Sequence, residues 1–239
     1  MNTRHQTIAA EGGSFDAYWT APGARPAPGV VVAQEIFGVN AFVRSVADRL
    51  AADGYLAAAP DLFWRQQPGI ELDSSREADR ARAISLNQQL DQGKAIADCD
   101  ATAQRLRSDG ACTGNVGVVG YCLGGRLAYL LATRTRIAAA VGYYGVGIDN
   151  LLDEASSIRC PVLLHIAGND HLCPPAAQET IIATLRQRAP SAIVHVYPGA
   201  GHGFAREGGQ NYVAAAAELA NRRTHEFFAQ HLRLLPAKS

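Results

Sequence analysis

The sequence predicts an α/β protein: a mostly parallel central sheet with helices on both faces, entered through a small N-terminal hairpin. Three observations predict it. Short apolar, β-branched runs alternate with segments of helical period along the whole chain. Some of those runs, Gly29–Ala33 above all, are apolar without interruption, as strands covered on both faces are. The 239 residues are 48% hydrophobic, enough to fill a core on each side of a sheet. No internal repeat, low-complexity tract or shift in composition marks a boundary, so one domain over residues 1–239 is expected.

Taken in order, Thr7 to Thr20 forms a hairpin, with Glu11-Gly12-Gly13 as its turn and Phe15, Ala17 and Trp19 alternating. Ala21 to Pro28 is a Pro/Gly loop, and Gly29–Ala33 is the first buried strand. Gln34 to Asn40 is a loop whose last residue caps a helix to Asp53, with Phe42, Val46 and Leu50 on one face and Gly54 as its stop. Tyr55–Ala59 is a strand, closed by Pro60-Asp61, and Leu62 to Ser75 is irregular. Helical spacing resumes near Arg76 and again from Gly93 to Leu106. Asn115–Gly120 is a strand whose helix runs to about Thr133. Strands follow at Ile137–Tyr143, Pro161–Ala167 and Ile193–Tyr197, with helices from Pro175 to Gln187 and from Tyr212 to about Leu232. Crossovers between parallel strands are right-handed.

Charge excludes some partners. Lys plus Arg and Asp plus Glu number 22 each, for a formal net charge of zero, with no basic tract or acidic tail. Nucleic acid and anionic membrane surfaces are poorly matched to such a chain. No apolar run is long enough to span a bilayer, and no apolar stretch of the signal-peptide kind follows Met1–Gln6, so a cytoplasmic location is expected. The five cysteines, without C-x-x-C spacing, argue against a disulfide framework or a zinc site.

The chemistry centres on Gly120-Tyr121-Cys122-Leu123-Gly124-Gly125-Arg126. A β-branched run ends in a glycine, a thiol follows, then a glycine pair, then Leu127, Leu130 and Leu131 at helical spacing. This is the strand–elbow–helix pattern G-x-S-x-G with cysteine in place of serine. Glycines at Gly120 and Gly124 leave room for close strand–helix approach, and the Leu123 N–H at the helix start is a ready oxyanion donor.

In a doubly covered parallel sheet the working residues sit on loops at the carboxyl ends of strands. After Ala167 comes Gly168-Asn169-Asp170-His171; after Tyr197 comes Pro198-Gly199-Ala200-Gly201-His202-Gly203-Phe204. A histidine takes the proton of a thiol, and a carboxylate behind it fixes its tautomer. Cys122, Asp170 and His202 occur in the order nucleophile, acid, histidine, which is the order of α/β-hydrolases. His171 is a rival base, but its adjacency to Asp170 points the two side chains apart. His165 lies within an apolar strand and is expected in the core. Glu35 follows the first buried strand on the loop facing the elbow: either a solvated carboxylate or a second carboxylate beside the thiol, with the Ile36 N–H as second oxyanion donor. No metal or organic cofactor is needed for this chemistry.

These segments, with Gln34-Glu35-Ile36-Phe37-Gly38-Val39-Asn40, Pro60-Asp61-Leu62, Gly142-Tyr143-Tyr144-Gly145-Val146-Gly147 and Gly201-His202-Gly203-Phe204-Ala205-Arg206, together resemble the dienelactone hydrolase (carboxymethylenebutenolidase) family over essentially the whole chain. The resemblance implies an α/β-hydrolase fold and hydrolysis of a carboxylated enol-lactone to maleylacetate. It implies Cys122 as nucleophile, His202 as base, Asp170 as its orienter, and Glu35 as a carboxylate that contacts the thiol at rest and is displaced by substrate. It implies that Arg80 and Arg206 grip the substrate carboxylate, a pairing suited to the guanidinium fork. Tyr143, at a strand end, and Phe37, beside Glu35, are expected at the substrate pocket. The chain departs from the family's pattern at Ile84 and Asn87, where aromatic pocket residues stand in the family, and at Gly203, where a serine does. The expected partner is a small lactone acid, and a monomer is expected. The alternatives are a broad carboxylesterase or thioesterase on the same scaffold and, from another class, a redox or ligand-sensing thiol module.

Overall fold

A computed structural model describes residues 2–23 and 26–232; the middle of the expected Ala21–Pro28 loop lies outside them. One eight-stranded sheet runs through the molecule in the order β1-β2-β4-β3-β5-β6-β7-β8. The strands are β1 (Asn2–Ala10), β2 (Gly13–Ala21), β3 (Ala27–Ala33), β4 (Leu56–Pro60), β5 (Cys112–Tyr121), β6 (Ala140–Tyr143), β7 (Val162–Ala167) and β8 (Ile193–Tyr197). The hairpin β1–β2 is antiparallel and joins β4 antiparallel; every pair from β4 through β8 is parallel. The helices are α1 (Ala41–Ala52), α2 (Glu77–Gln89), α3 (Gln92–Arg107), α4 (Leu123–Arg134), α5 (Pro175–Arg188) and α6 (Ala214–His231).

The uninterrupted apolar runs have the cause inferred for them. Every residue of β3 is buried. Val31 and Ala33 pack into a core with α3 and α4 residues such as Leu106, Leu127 and Leu131. Val30 and Val32 pack on the other face with Val43, Val46 and Leu50 of α1 and Phe227 and Phe228 of α6. Strand alternation thus supplies both layers from one segment. Asn40 caps α1, its side chain accepting from the Val43 N–H at 3.2 Å.

Some boundaries differ. The hairpin strands extend to Asn2 and Ala21, β5 begins at Cys112, and β6 is shortened to its last four residues, Ala140–Tyr143. A 3-10 helix, Ile148–Ser157, occupies a stretch to which the sequence pattern assigned no element. It buries Ile148, Leu152 and Ala155 while its remaining residues are polar or half-exposed, a pattern too short and too acidic to stand out. His165 is in the core, with Nδ1 2.8 Å from the Tyr197 hydroxyl and Nε2 3.0 Å from Thr224 Oγ1. Burial and the neighbouring charges hold its pKa well down, so it is neutral.

Candidate active site

The chain turns sharply between β5 and α4. Cys122 occupies the turn with φ 55° and ψ −111°, a strained conformation for a residue with a Cβ. Surrounding close packing holds it there. A Cβ at Gly120 would collide with the Gly124 carbonyl, one at Gly124 with the Ala33 carbonyl, and one at Gly125 would lie 2.6 Å from the Tyr143 carbonyl oxygen. Only glycine permits these backbone approaches. The Cys122 N–H is tied to the Tyr143 carbonyl at 3.0 Å. The thiol therefore stands at the N-terminus of α4 with only 8% of the residue exposed.

The loop after β8 brings His202 to it. His202 Nδ1 lies 2.8 Å from Asp170 Oδ2, and the Cys122 thiol is the other group that acts on the ring. Asp170 is fixed by accepting from the Leu172 N–H at 2.8 Å through its other oxygen. Burial alone would lower the imidazole's pKa. The hydrogen bonds and charges of Asp170 and Cys122 outweigh it and raise the value to about 10. The ring is thus held as imidazolium at neutral pH, with the Asp170 carboxylate behind it.

Glu35 reaches the same rim from the loop after β3. That loop is locked: Gln34 Oε1 accepts from the Leu62 N–H at 3.1 Å, and the Phe37 carbonyl accepts from the Leu72 N–H at 2.9 Å. A Cβ at Gly38, φ +77°, would strike the Ile70 carbonyl. The Glu35 carboxylate is 2% exposed and lies 3.2 Å from Arg206 Nη1, itself 14% exposed. Burial pushes the Glu35 pKa up against the pull of Arg206 and His202. Phe37 lies beneath this pair, with the Arg206 guanidinium 5.2 Å from its ring centre. Ile36 and Leu123 line the cavity with the thiol, and among the described residues no protein acceptor takes the backbone N–H of either.

These groups open into one cavity of about 450 Å³, lined among others by Glu35, Phe37, Arg80, Cys122, Arg126, His202 and Arg206. On α2, Arg80, Ile84 and Asn87 share the face that lines it. Arg80 donates to the carbonyls of Ser74 and Ser75 at 2.9 and 2.8 Å. Among the described residues no helix is long and apolar enough to cross a membrane.

The model of the Dienelactone hydrolase family matches residues 15–232. The chain belongs to that family. It is accordingly a carboxylic ester hydrolase. A carboxymethylenebutenolidase of Pseudomonas putida is 42% identical over 219 residues, 92% of each chain. Another, from Pseudomonas sp. strain P51, is 40% identical over 227 residues, 95% of this chain and 94% of that one. Among solved structures, one from Klebsiella pneumoniae, assigned by its name to the dienelactone hydrolases, superposes with a TM-score of 0.86. It is 30% identical, covering 96% of this chain and 99% of that one.

Against the family's pattern, three placements stand out. Tyr143 is not at the pocket: it is fully buried, stacked on Tyr121 at 4.6 Å, with its hydroxyl 3.0 Å from Asn221 Oδ1 and 2.7 Å from Thr224 Oγ1. Its neighbour Tyr144 is the one that turns toward the site, its ring 5.1 Å from His202. The chain reverses sense there, at φ 37°, and local sequence carried no sign of which tyrosine would face which way. Second, Glu35 is bonded to Arg206 rather than to the thiol, because a buried carboxylate gains more from a guanidinium than from a sulfur. Third, Arg126 lines the cavity although sequence reasoning gave it no role. Its spacing of four residues from Cys122, one helical turn, was the available signal. His171 lies at the cavity with its ring 6.3 Å from that of His202, while Asp170 pairs with His202.

Proposed function

We propose that the protein hydrolyses dienelactone (4-carboxymethylenebut-2-en-4-olide), or a closely related carboxylated enol-lactone, to maleylacetate through Cys122, His202 and Asp170. The observation that carries this reading is the convergence of the three. A thiol at the elbow apex shares a cavity with an imidazole that a carboxylate holds from behind, and Arg80 and Arg206 stand on the cavity wall. The names of the relatives, carboxymethylenebutenolidases at 40% and 42% identity, support the substrate class.

In this mechanism the substrate carboxylate is held by Arg80 and Arg206. The Cys122 sulfur, having given its proton to His202, attacks the lactone carbonyl, and the oxyanion is stabilised by the N–H groups of Ile36 and Leu123. Collapse breaks the ring C–O bond and expels an enolate. The enolate takes the imidazolium proton and becomes the ketone of the product. His202 is now neutral and removes a proton from water as the water attacks the thioester. The C–S bond breaks, the acid is released as carboxylate, and the thiolate–imidazolium pair is restored. An enolate is a good leaving group, so a thiolate, which itself leaves readily, suffices as nucleophile.

Turnover of dienelactone by the wild type, lost in Cys122→Ala, is the expected result. Near wild-type turnover by the variant would exclude Cys122 as nucleophile. Arg206→Ala is expected to raise KM for carboxylated substrates far more than for neutral esters, and an equal effect on both would remove the carboxylate clamp.

A further inference from the structure

We propose that Arg126 binds a second carboxylate of the substrate, so that this enzyme prefers doubly charged lactones or esters over singly charged ones. The inference rests on the hydrolase reading above and specifies its substrate class.

The cavity contains three guanidinium groups and, among its described lining residues, one carboxylate, Glu35. Glu35 is bonded to Arg206, and the charge of His202 is answered by Asp170 at 2.8 Å. The arginines therefore leave the cavity with two uncompensated positive charges. One carboxylate on the substrate neutralises only one of them.

The two unspent cations also have separate neighbourhoods. Arg80 is tethered from α2 to the Ser74 and Ser75 carbonyls. Arg126 lies one turn along α4 from the elbow, its N–H 3.2 Å from the Cys122 carbonyl. Its guanidinium extends toward the loop after β6, where a Cβ on Gly147 would meet Nη1 at 3.9 Å. Among the described residues its side chain makes no hydrogen bond and no ion pair, and its Nε is a buried donor without an acceptor. A buried N–H left without a partner is a standing cost. A planar anion is the ligand that satisfies Nε and the adjoining Nη together. The cavity volume of about 450 Å³ accommodates a small acid with anionic groups on both sides of its reacting carbonyl.

The test uses three activated esters: p-nitrophenyl acetate, with no carboxylate; mono-p-nitrophenyl glutarate, with one; and the mono-p-nitrophenyl ester of propane-1,2,3-tricarboxylate, with two. The readout is the ratio of kcat/KM between the doubly and singly charged esters. In the wild type this ratio is expected to exceed one. In Arg126→Ala it is expected to fall at least tenfold, chiefly through KM, with Arg126→Lys between the two because it keeps the charge but not the fork. A ratio unchanged in both variants overturns the inference and leaves the hydrolase reading standing. So does an equal loss on all three esters, which would make Arg126 a support for the thiolate rather than a substrate ligand. Failure of the wild type to hydrolyse any of the three esters, or dienelactone, overturns the hydrolase reading and this inference with it.

Discussion

Replacing Arg206 by alanine isolates the energetics of the Glu35 carboxylate. The pair is almost dry: Glu35 is 2% exposed and Arg206 14%. Breaking such a pair from one side leaves a buried charge behind and typically costs about 3–5 kcal/mol. Glu35 has a second route, which is to take a proton. Burial already raises its native pKa above the ordinary 4.5, and the charge of Arg206 is the largest influence opposing that rise. Arg206→Ala removes the opposition, so the pKa climbs further. A carboxyl whose native pKa lies above its unfolded value favours the fold fully below the unfolded value, and loses that contribution as pH rises through the native one. Below about pH 4.5 both states of the variant are protonated and charge burial costs nothing. Above it, each pH unit adds about 1.4 kcal/mol of penalty until Glu35 ionises in the native state as well.

The destabilisation by Arg206→Ala is therefore expected to be about 1 kcal/mol near pH 5, from the lost contact with Phe37, and to grow to about 3–5 kcal/mol near pH 8. Urea unfolding of the wild type, Arg206→Ala and Arg206→Ala/Glu35→Gln at pH 5, 6.5 and 8 measures it. The double variant carries no ionisable group at position 35, so its penalty relative to the wild type is expected to lose the steep pH dependence. A penalty for Arg206→Ala that is flat across this range, or no recovery on adding Glu35→Gln, would refute the account of Glu35 as a carboxylate held charged by its arginine.

Three further outcomes follow from the geometry. Cys122→Ala removes two of the influences that hold the His202 pKa near 10; burial then opposes Asp170 alone, and an NMR titration of the imidazole is expected to give a clearly lower value. Gly124→Ala drives a methyl group into the Ala33 carbonyl, a backbone atom that cannot step aside, and is expected to cost at least about 3 kcal/mol, read as a drop in the urea midpoint. Tyr143→Phe removes a hydroxyl bonded to Asn221 and Thr224. It is expected to cost about 1–2 kcal/mol of stability with KM unmoved, whereas a large KM change would return Tyr143 to the pocket wall.

Features legible in the sequence were those set by local backbone chemistry. The elbow announced itself because glycine at 120 and 124 is the only residue that tolerates the Gly124 and Ala33 carbonyls at those distances. Asp170 and His202 were found because a parallel sheet exposes its functional loops at one edge, and both follow predicted strands, β7 and β8. The cap at Asn40 was legible for the same local reason.

The rest depended on long-range geometry. Glu35 and Arg206 are 171 positions apart, and their pairing depends on a loop pinned by Leu62 and Leu72, neither of which marks itself as an anchor. The sequence reading set Tyr143 at the pocket, whereas Tyr144 is the one beside His202, because the chain takes a positive φ at Tyr144 that no glycine advertised. Arg126 shows the converse. Its spacing from Cys122 was plain, yet a charge on an exposed helix turn and a charge aimed into a cavity look identical in one dimension. What separates them is the company they keep: Arg134, two turns on, has Glu154 across from it, and Arg126 has an empty-handed Nε and a cavity in which the only carboxylate among the described residues already belongs to Arg206. The buried Nε of Arg126 has no acceptor among the described residues, and under the proposal above a second ligand carboxylate takes that place beside the one held by Arg80 and Arg206.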